Sequence, residues 1–156
     1  MKFVTTLIGT FGFTGFFPVA PATFASFVFA LIYAFVPGGR ALAHPVAVVV
    51  TLVLSVPVST SLERRYGHDA KRIVIDEVVG MQVILLLADP SLWGIGLTFF
   101  LFRFFDIVKV FPAGRSQNLP RGYGVVCDDV IAGIYARIVL VVLAAFFPGI
   151  GAFGFG

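Results

Sequence analysis

Charged residues are scarce in this chain. Asp, Glu, Lys and Arg make up 12% of its 156 residues, against about 25% in ordinary soluble domains. The formal net charge of +3 is small and scattered, which excludes the dense basic surface that nucleic-acid binding needs. With 59% hydrophobic residues and a mean hydropathy of +1.03, there is too little polar sequence to cover a soluble globule. We therefore predict an integral membrane protein.

Cysteine and histidine are also rare. The one cysteine, Cys127, excludes an internal disulfide framework. The two histidines, His44 and His68, give no His/Cys pattern for zinc, and neither Cys127 nor His44 has a local partner for nucleophilic catalysis. The pair His68-Asp69 could assist a nearby site, but a solvated loop pair explains it as simply. An N-terminal signal-like run has prolines around its would-be cleavage site, so we do not expect its removal.

Hydrophobic stretches divide the chain into helices of a single membrane domain, residues 1–156. The pattern predicts an all-α bundle of about four to five hydrophobic helices. Residues 3–17 carry too many Gly and Thr for a confident span, so they should form an interfacial or re-entrant segment. The following stretches are predicted to be the helices: 23–36, 45–62, 73–88, 91–110 and 128–147. Thr23 could cap the first of these or contact a polar ligand.

The basic residues mark one side of the predicted membrane domain. They cluster in the loops that follow the second and fourth spans: Arg64, Arg65, Lys71, Arg72, Arg115 and Arg121. The opposite turns hold only Arg40, His44 and Asp89. Because loops rich in Lys and Arg stay in the cytoplasm, the first side should be cytoplasmic.

The acidic residues gather on this same side. Five of the eight acids lie there, at three predicted helix ends: Asp76, Glu77, Asp106, Asp128 and Asp129. Most of them also have a simpler structural explanation. Asp76 could cap a helix with Glu77 in its first turn, and Asp106 could pair with Arg103 or Lys109, three residues away on the same face. A capping role after the turn at Gly122–Gly124 explains only one of Asp128 and Asp129.

Five carboxylates held together at a membrane interface repel one another and need a counter-charge. Mg²⁺ is the natural candidate, because it prefers hard oxygen ligands and is commonly shared between carboxylates and substrate phosphates. With Arg and Lys close by, the set matches the requirements of phosphoryl transfer, in which cations stabilise charge on the phosphoryl oxygens.

Four segments resemble the phosphatidylglycerophosphatase A family. They run in order over most of the chain: Pro21-Ala-Thr23-Phe-Ala-Ser26, Asp76-Glu77-Val-Val-Gly80-Met81, Arg103-Phe-Phe-Asp106-Ile-Val-Lys109 and Asp128-Asp129-Val-Ile-Ala132-Gly133. The resemblance implies a Mg²⁺-dependent phosphatase of a bacterial inner membrane, with its active site facing the cytoplasm. It would convert phosphatidylglycerophosphate in the bilayer to phosphatidylglycerol and phosphate.

The same resemblance implies roles for individual residues. The five acids become the catalytic and metal-binding groups: Asp76, Glu77, Asp106, Asp128 and Asp129. The predicted substrate-binding residues are Thr23, Arg103, Lys109 and Arg115. A metal-activated water is favoured over an Asp nucleophile, because the acids are taken up by the metal.

Three other functions fit parts of the sequence less well. Gly133-Ile-Tyr-Ala136-Arg137 matches the core of the CDP-alcohol phosphatidyltransferase motif, but the acids expected around that core are absent, and Arg137 should instead pack against an Asp or backbone carbonyls of the bundle. A small channel or transporter would spread its acids through the membrane depth. A structural subunit would leave the clustered acids without a purpose.

Overall fold

The structure, a computed structural model, describes residues 2–67, 70–117, 119–146 and the backbone of 153–155. The described elements are predominantly helical: α1 (Lys2–Gly9), α2 (Pro21–Phe35), α3 (Pro45–Tyr66), α4 (Ile75–Leu85), α5 (Leu92–Val108), α6 (Ala113–Ser116) and α7 (Gly122–Phe146), with short 3₁₀ helices at Thr14–Phe16 and Gly39–Ala43. Two short strands, β1 (Ala88–Pro90) and β2 (Phe153–Phe155), pair antiparallel.

Helix α4 lies at the centre of the bundle. Every one of its residues except Val83 is buried, and it packs against α2, α3, α5 and α7. This explains why its sequence is a nearly continuous apolar run rather than an amphipathic one, since a helix surrounded on all sides has no solvent face. The two carboxylates in its first turn, Asp76 and Glu77, are therefore buried as well.

The outer surface of the bundle is apolar. Large hydrophobic side chains point outward from the four helices that surround α4; examples are Phe27, Val53, Phe100 and Ile138. Two helices, α3 and α7, are long and apolar enough to cross a membrane. Buried polar groups inside and exposed apolar groups outside are the arrangement expected of a protein in lipid.

The two candidate spans run in opposite directions. The Gly122 amide at the start of α7 donates a hydrogen bond of 3.1 Å to the Thr60 hydroxyl near the end of α3. A Cβ on Gly122 would lie 2.5 Å from the Val56 carbonyl oxygen, so glycine is what permits this contact. Pro57 lies within α3.

Several predicted boundaries shift. Helix α7 starts at Gly122 rather than Asp128, so Asp128 and Asp129 lie in its second turn and neither is a cap. The N-cap of α4 is Val74, with no side-chain cap, so Asp76 does not cap that helix. The N-terminal segment contains a short helix, α1, whose Thr6 hydroxyl accepts a hydrogen bond from Arg65 at the end of α3.

Candidate active site

A cavity of about 460 Å³ opens at one end of the bundle, between the start of α2, the start of α4, the end of α5 and the start of α7. All five predicted acids line it: Asp76, Glu77, Asp106, Asp128 and Asp129. Three cations line it too: Lys71, Arg103 and Lys109. Three segments distant in the sequence thus deliver their charged side chains to one space, and the start of α2 adds uncharged residues such as Thr23.

Glu77, Asp106 and Asp129 form the tightest group of acids. One carboxylate oxygen from each lies within 4.8 Å of the other two, although they come from three different helices. Arg103 joins two of them, with Nη1 at 2.5 Å from Glu77 Oε2 and 3.0 Å from Asp106 Oδ2. The Arg103–Asp106 pair was one of the two predicted from the three-residue spacing, and it coexists with the acid cluster.

Two glycines bring the acids of α4 and α7 together. A Cβ on Gly133 would lie 2.7 Å from the Gly80 carbonyl oxygen, and a Cβ on Gly80 would lie 3.0 Å from the Asp129 carbonyl oxygen. Only glycine permits such close approach of the two backbones. Glu77 lies three residues before Gly80 and Asp129 four before Gly133, so each acid is one helical turn from the crossing point. This contact explains the spacing of both motifs.

Asp128 has different partners from its neighbour. Its Oδ2 accepts hydrogen bonds from Lys109 Nζ at 3.0 Å and Gln117 Nε2 at 2.7 Å. Lys109 ends α5 in a left-handed conformation, with φ of 49°. The loop carrying Gln117 packs directly on α7, where a Cβ on Gly124 would lie 2.6 Å from the Gln117 carbonyl oxygen. Lys109 therefore pairs with Asp128 across helices.

Two carboxylate oxygens in the cavity are buried without a hydrogen-bond partner among the described residues. They are Asp128 Oδ1 and Asp129 Oδ2. A buried acceptor left unpaired is costly, by about 1–3 kcal/mol and more for a charged group. Five acids and three bases also leave the lining with an excess of negative charge when all are ionised. Both features fit a bound cation, and the all-oxygen donor set suits Mg²⁺.

The remaining predicted residues divide between the cavity and other places. Thr23 lines the cavity. Arg115 does not; it is exposed and stacks over the Phe111 ring at 5.0 Å. Arg137 donates a hydrogen bond of 2.9 Å to the Ile84 carbonyl oxygen, which confirms the packing role predicted for it. The predicted His68-Asp69 pair lies outside the described residues.

Sequence reasoning missed two polar groups at the site. Gln117 holds Asp128, and the Ser26 hydroxyl lies 3.4 Å from Glu77 Oε2. Ser26 belongs to a recognised segment and could have been found there, but nothing local distinguishes Gln117. The sequence also places Lys71 only in a basic loop, although its side chain lines the cavity.

Comparison with known proteins places these residues in a family. The family model described as phosphatidylglycerophosphatase A matches residues 7–144. A Bacteroides thetaiotaomicron protein named "Putative phosphatidylinositol-3-phosphatase" is 36% identical over 90% of this chain and 94% of its own length. No solved structure matches the chain.

Two relatives carry the family's name. A phosphatidylglycerophosphatase A from Haemophilus influenzae is 49% identical over 47% of this chain and 46% of its own length. The protein of that name from Escherichia coli is 30% identical over 52% of this chain and 48% of its own length. The matched part is thus about half the length of each of these two relatives.

Proposed function

Since this chain belongs to the phosphatidylglycerophosphatase A family, it is a phosphatase, and we propose that it hydrolyses phosphatidylglycerophosphate to phosphatidylglycerol and phosphate with the help of Mg²⁺. The observation that carries this proposal is the cavity in which Glu77, Asp106 and Asp129 lie within 4.8 Å of one another beside Arg103. A phosphate monoester is strongly anionic, so it enters a cavity with surplus negative charge only if a cation enters as well.

The three clustered acids would hold the metal ion, with Asp76 and Asp128 close by in the lining. When bound, Mg²⁺ neutralises charge on the phosphate oxygens and polarises the phosphorus toward attack. Arg103 is fixed by its two ion pairs, so its guanidinium contributes positive charge without having to be ordered during the reaction.

Asp128 is the residue we assign to the attacking water. Lys109 and Gln117 fix its Oδ2, while Oδ1 has no partner among the described groups and is available to accept a proton. Water oxygen then bonds to phosphorus as Asp128 Oδ1 takes one of its protons. The ester P–O bond breaks, and the leaving oxygen takes up that proton through solvent water to become the hydroxyl of phosphatidylglycerol.

In the membrane we propose four crossing helices, α2, α3, α5 and α7, around the central α4. Their outward-facing side chains are large and apolar. The 15 residues of α2 and 17 of α5 give lengths of about 22 and 26 Å at 1.5 Å per residue. These are short of a hydrocarbon core of about 30 Å, which would place the acid-lined cavity near headgroup depth.

We propose that the cavity faces the cytoplasm of a bacterial inner membrane. Lys71 lines the cavity, and Arg72 and Arg65 stack nearby on Tyr66, so the basic loops lie at the cavity end. Arg40 and Asp89 pair at the other end.

The proposed orientation is tested by labelling of Arg121→Cys and Arg40→Cys, each in a Cys127→Ser background, by an impermeant maleimide. In inside-out vesicles we expect Arg121→Cys to react and Arg40→Cys to be protected; the reverse pattern would place the cavity on the outer side.

The catalytic proposal is tested with the purified full chain, by phosphate release from phosphatidylglycerophosphate with EDTA or with added Mg²⁺. Release should stop on chelation and return with Mg²⁺. Asp129→Asn should lose most of the activity, and the matched control Asp89→Asn, at the far end of the bundle, should keep wild-type activity. Release that survives chelation would remove the metal from the mechanism.

The same assay should also be run with a second substrate, suggested by the name of the Bacteroides relative. Phosphatidylinositol 3-phosphate is also a lipid phosphate monoester, and the residues around the phosphate could serve either lipid. We expect faster hydrolysis of phosphatidylglycerophosphate, because two relatives carry that substrate in their names. Faster hydrolysis of phosphatidylinositol 3-phosphate would reassign the substrate while keeping the phosphatase chemistry.

A further inference from the structure

An apolar groove of about 290 Å³ lies along the seam between α2 and α5 and has no part in the phosphate chemistry. Small residues form its floor, among them Ala30 and Gly96. Large side chains that are about half exposed form its walls, among them Phe27 and Leu31. No charged side chain lines it.

The groove continues the line of the phosphate cavity. The same two helices border both spaces: Thr23 of α2 and Arg103 of α5 line the cavity, whereas Phe27 and Phe99 line the groove. On each helix the residue that lines the cavity and the residue that lines the groove are four positions apart, or about 6 Å at 1.5 Å per residue. From there the groove runs toward the opposite end of the bundle, where Phe35 and Leu92 border it.

We propose that this groove holds an acyl chain of the lipid whose phosphate is hydrolysed in the cavity. This proposal rests on the proposed function, since it concerns the same bound lipid. A charged cavity followed by an uncharged groove along one pair of helices matches the order of headgroup and chain in a phospholipid. Its walls are about half exposed on the outer face of the bundle, so a lipid could enter the groove from the bilayer without leaving the bilayer.

The groove would position the lipid rather than raise its affinity. Bilayer lipid is as apolar as the groove, so moving a chain between them yields little hydrophobic free energy. Packing contacts along the groove instead favour one placement of the chain, and this placement fixes where the phosphate lies in the cavity. Filling the groove should therefore slow the reaction of lipids that carry acyl chains.

Gly96 is the position at which the groove can be filled with least disturbance. A Cβ built on Gly96 meets nothing within 4 Å, so Gly96→Ala should be accommodated, whereas Gly96→Leu extends a side chain into the groove. Ala145→Leu is the matched control, because Ala145 is exposed on α7, which does not line the groove.

The experiment compares phosphate release from long-chain phosphatidylglycerophosphate in mixed micelles with release from its deacylated, water-soluble headgroup. For Gly96→Leu we expect kcat/KM on the lipid to fall about tenfold or more, since small misplacement of a reacting group costs that much, and kcat/KM on the headgroup to stay at the wild-type value. Ala145→Leu should behave like wild type on both.

The outcomes separate this proposal from the proposed function. If the wild-type protein releases no phosphate from either compound, the proposed function fails. If wild type is active and Gly96→Leu keeps full activity on the lipid, or loses both activities equally, the acyl-chain assignment is overturned. A change in oligomeric mass for Gly96→Leu with unchanged lipid kinetics would assign the groove to a second copy of the chain.

A second measurement locates the chain directly. A phospholipid with a photoreactive diazirine on one acyl chain, cross-linked to the catalytically impaired Asp129→Asn variant, should label peptides of α2 and α5. Labelling should fall in Gly96→Leu combined with Asp129→Asn. Equal labelling of all outward-facing helices, unchanged by the Gly96 substitution, would show that the groove holds no preferred chain.

Discussion

At one end of the bundle five carboxylates and three cations line a cavity, whereas at the other end Arg40 and Asp89 form an exposed ion pair. The Asp89 side chain is 63% exposed, while Asp129 is 3% exposed. Arg40 pairs with the first acid at the surface, whereas the second has a buried oxygen that no described group satisfies. Burial of unpaired acids is costly, so the difference supports the proposed catalytic role of the cavity acids.

The largest expected contrast between the two ends is between Asp129→Asn and Asp89→Asn. Asparagine keeps the shape of the side chain and removes its charge, so the cation site weakens while the fold is retained. We expect Asp129→Asn to lower kcat by about two to three orders of magnitude, as for loss of a key electrostatic group, and Asp89→Asn to leave it unchanged. Phosphate-release assays measure kcat for both variants. Similar values would contradict the proposed difference between the two ends of the bundle.

Gly133→Ala tests whether activity depends on the close packing of α4 against α7. The added methyl group meets the Gly80 carbonyl oxygen, so α4 and α7 must separate and carry Glu77 away from Asp129. A displacement near 1 Å can cost about 10²-fold in rate, and we expect a loss approaching that size. The matched control is Gly96→Ala, an Ala substitution in another helix where nothing stands in the way. Equal activity of the two variants would argue against close packing as the basis of the motif spacing.

Gln117→Ala should have a smaller effect at the cavity end. Gln117 donates to Asp128 Oδ2 and lies outside the acid cluster, so its loss leaves Lys109 to hold the carboxylate. Removing an orienting partner of this kind typically costs about 10–100-fold, and we expect the lower figure in kcat. Gln117→Glu should be worse than Gln117→Ala, because it places a further negative charge against Asp128. The opposite order would mean that Gln117 does not contact that carboxylate.

The recognised motifs supplied the acids of the site from sequence, but packing decided how they are arranged. Gly122 and Gly124 read as a turn before α7, yet they are helical, because backbone of α3 and of the loop before α7 lies against them. Such contacts join residues far apart in the chain and leave no local pattern. The role of Gln117 and the outward stacking of Arg115 likewise depend on the path of one loop.

The smallest expected effect on activity lies at the far end. The Tyr33 hydroxyl donates a hydrogen bond of 2.7 Å to the Ala88 carbonyl oxygen, and Tyr33 is buried. Tyr33→Phe should lower the free energy of unfolding by about 1 kcal/mol without changing kcat. Thermal unfolding in detergent and the phosphate-release assay measure the two quantities. A loss of activity without a loss of stability would mean that the far end also takes part in catalysis.

We propose that one divalent cation is bound jointly by acids from α4, α5 and α7. Calorimetric titration of Mg²⁺ into the purified protein, without substrate, tests it most directly. We predict saturable binding to the wild type and to Asp89→Asn, with affinity lowered at least tenfold in Glu77→Gln, Asp106→Asn and Asp129→Asn alike. Wild-type affinity in any one of these three variants would contradict a shared site.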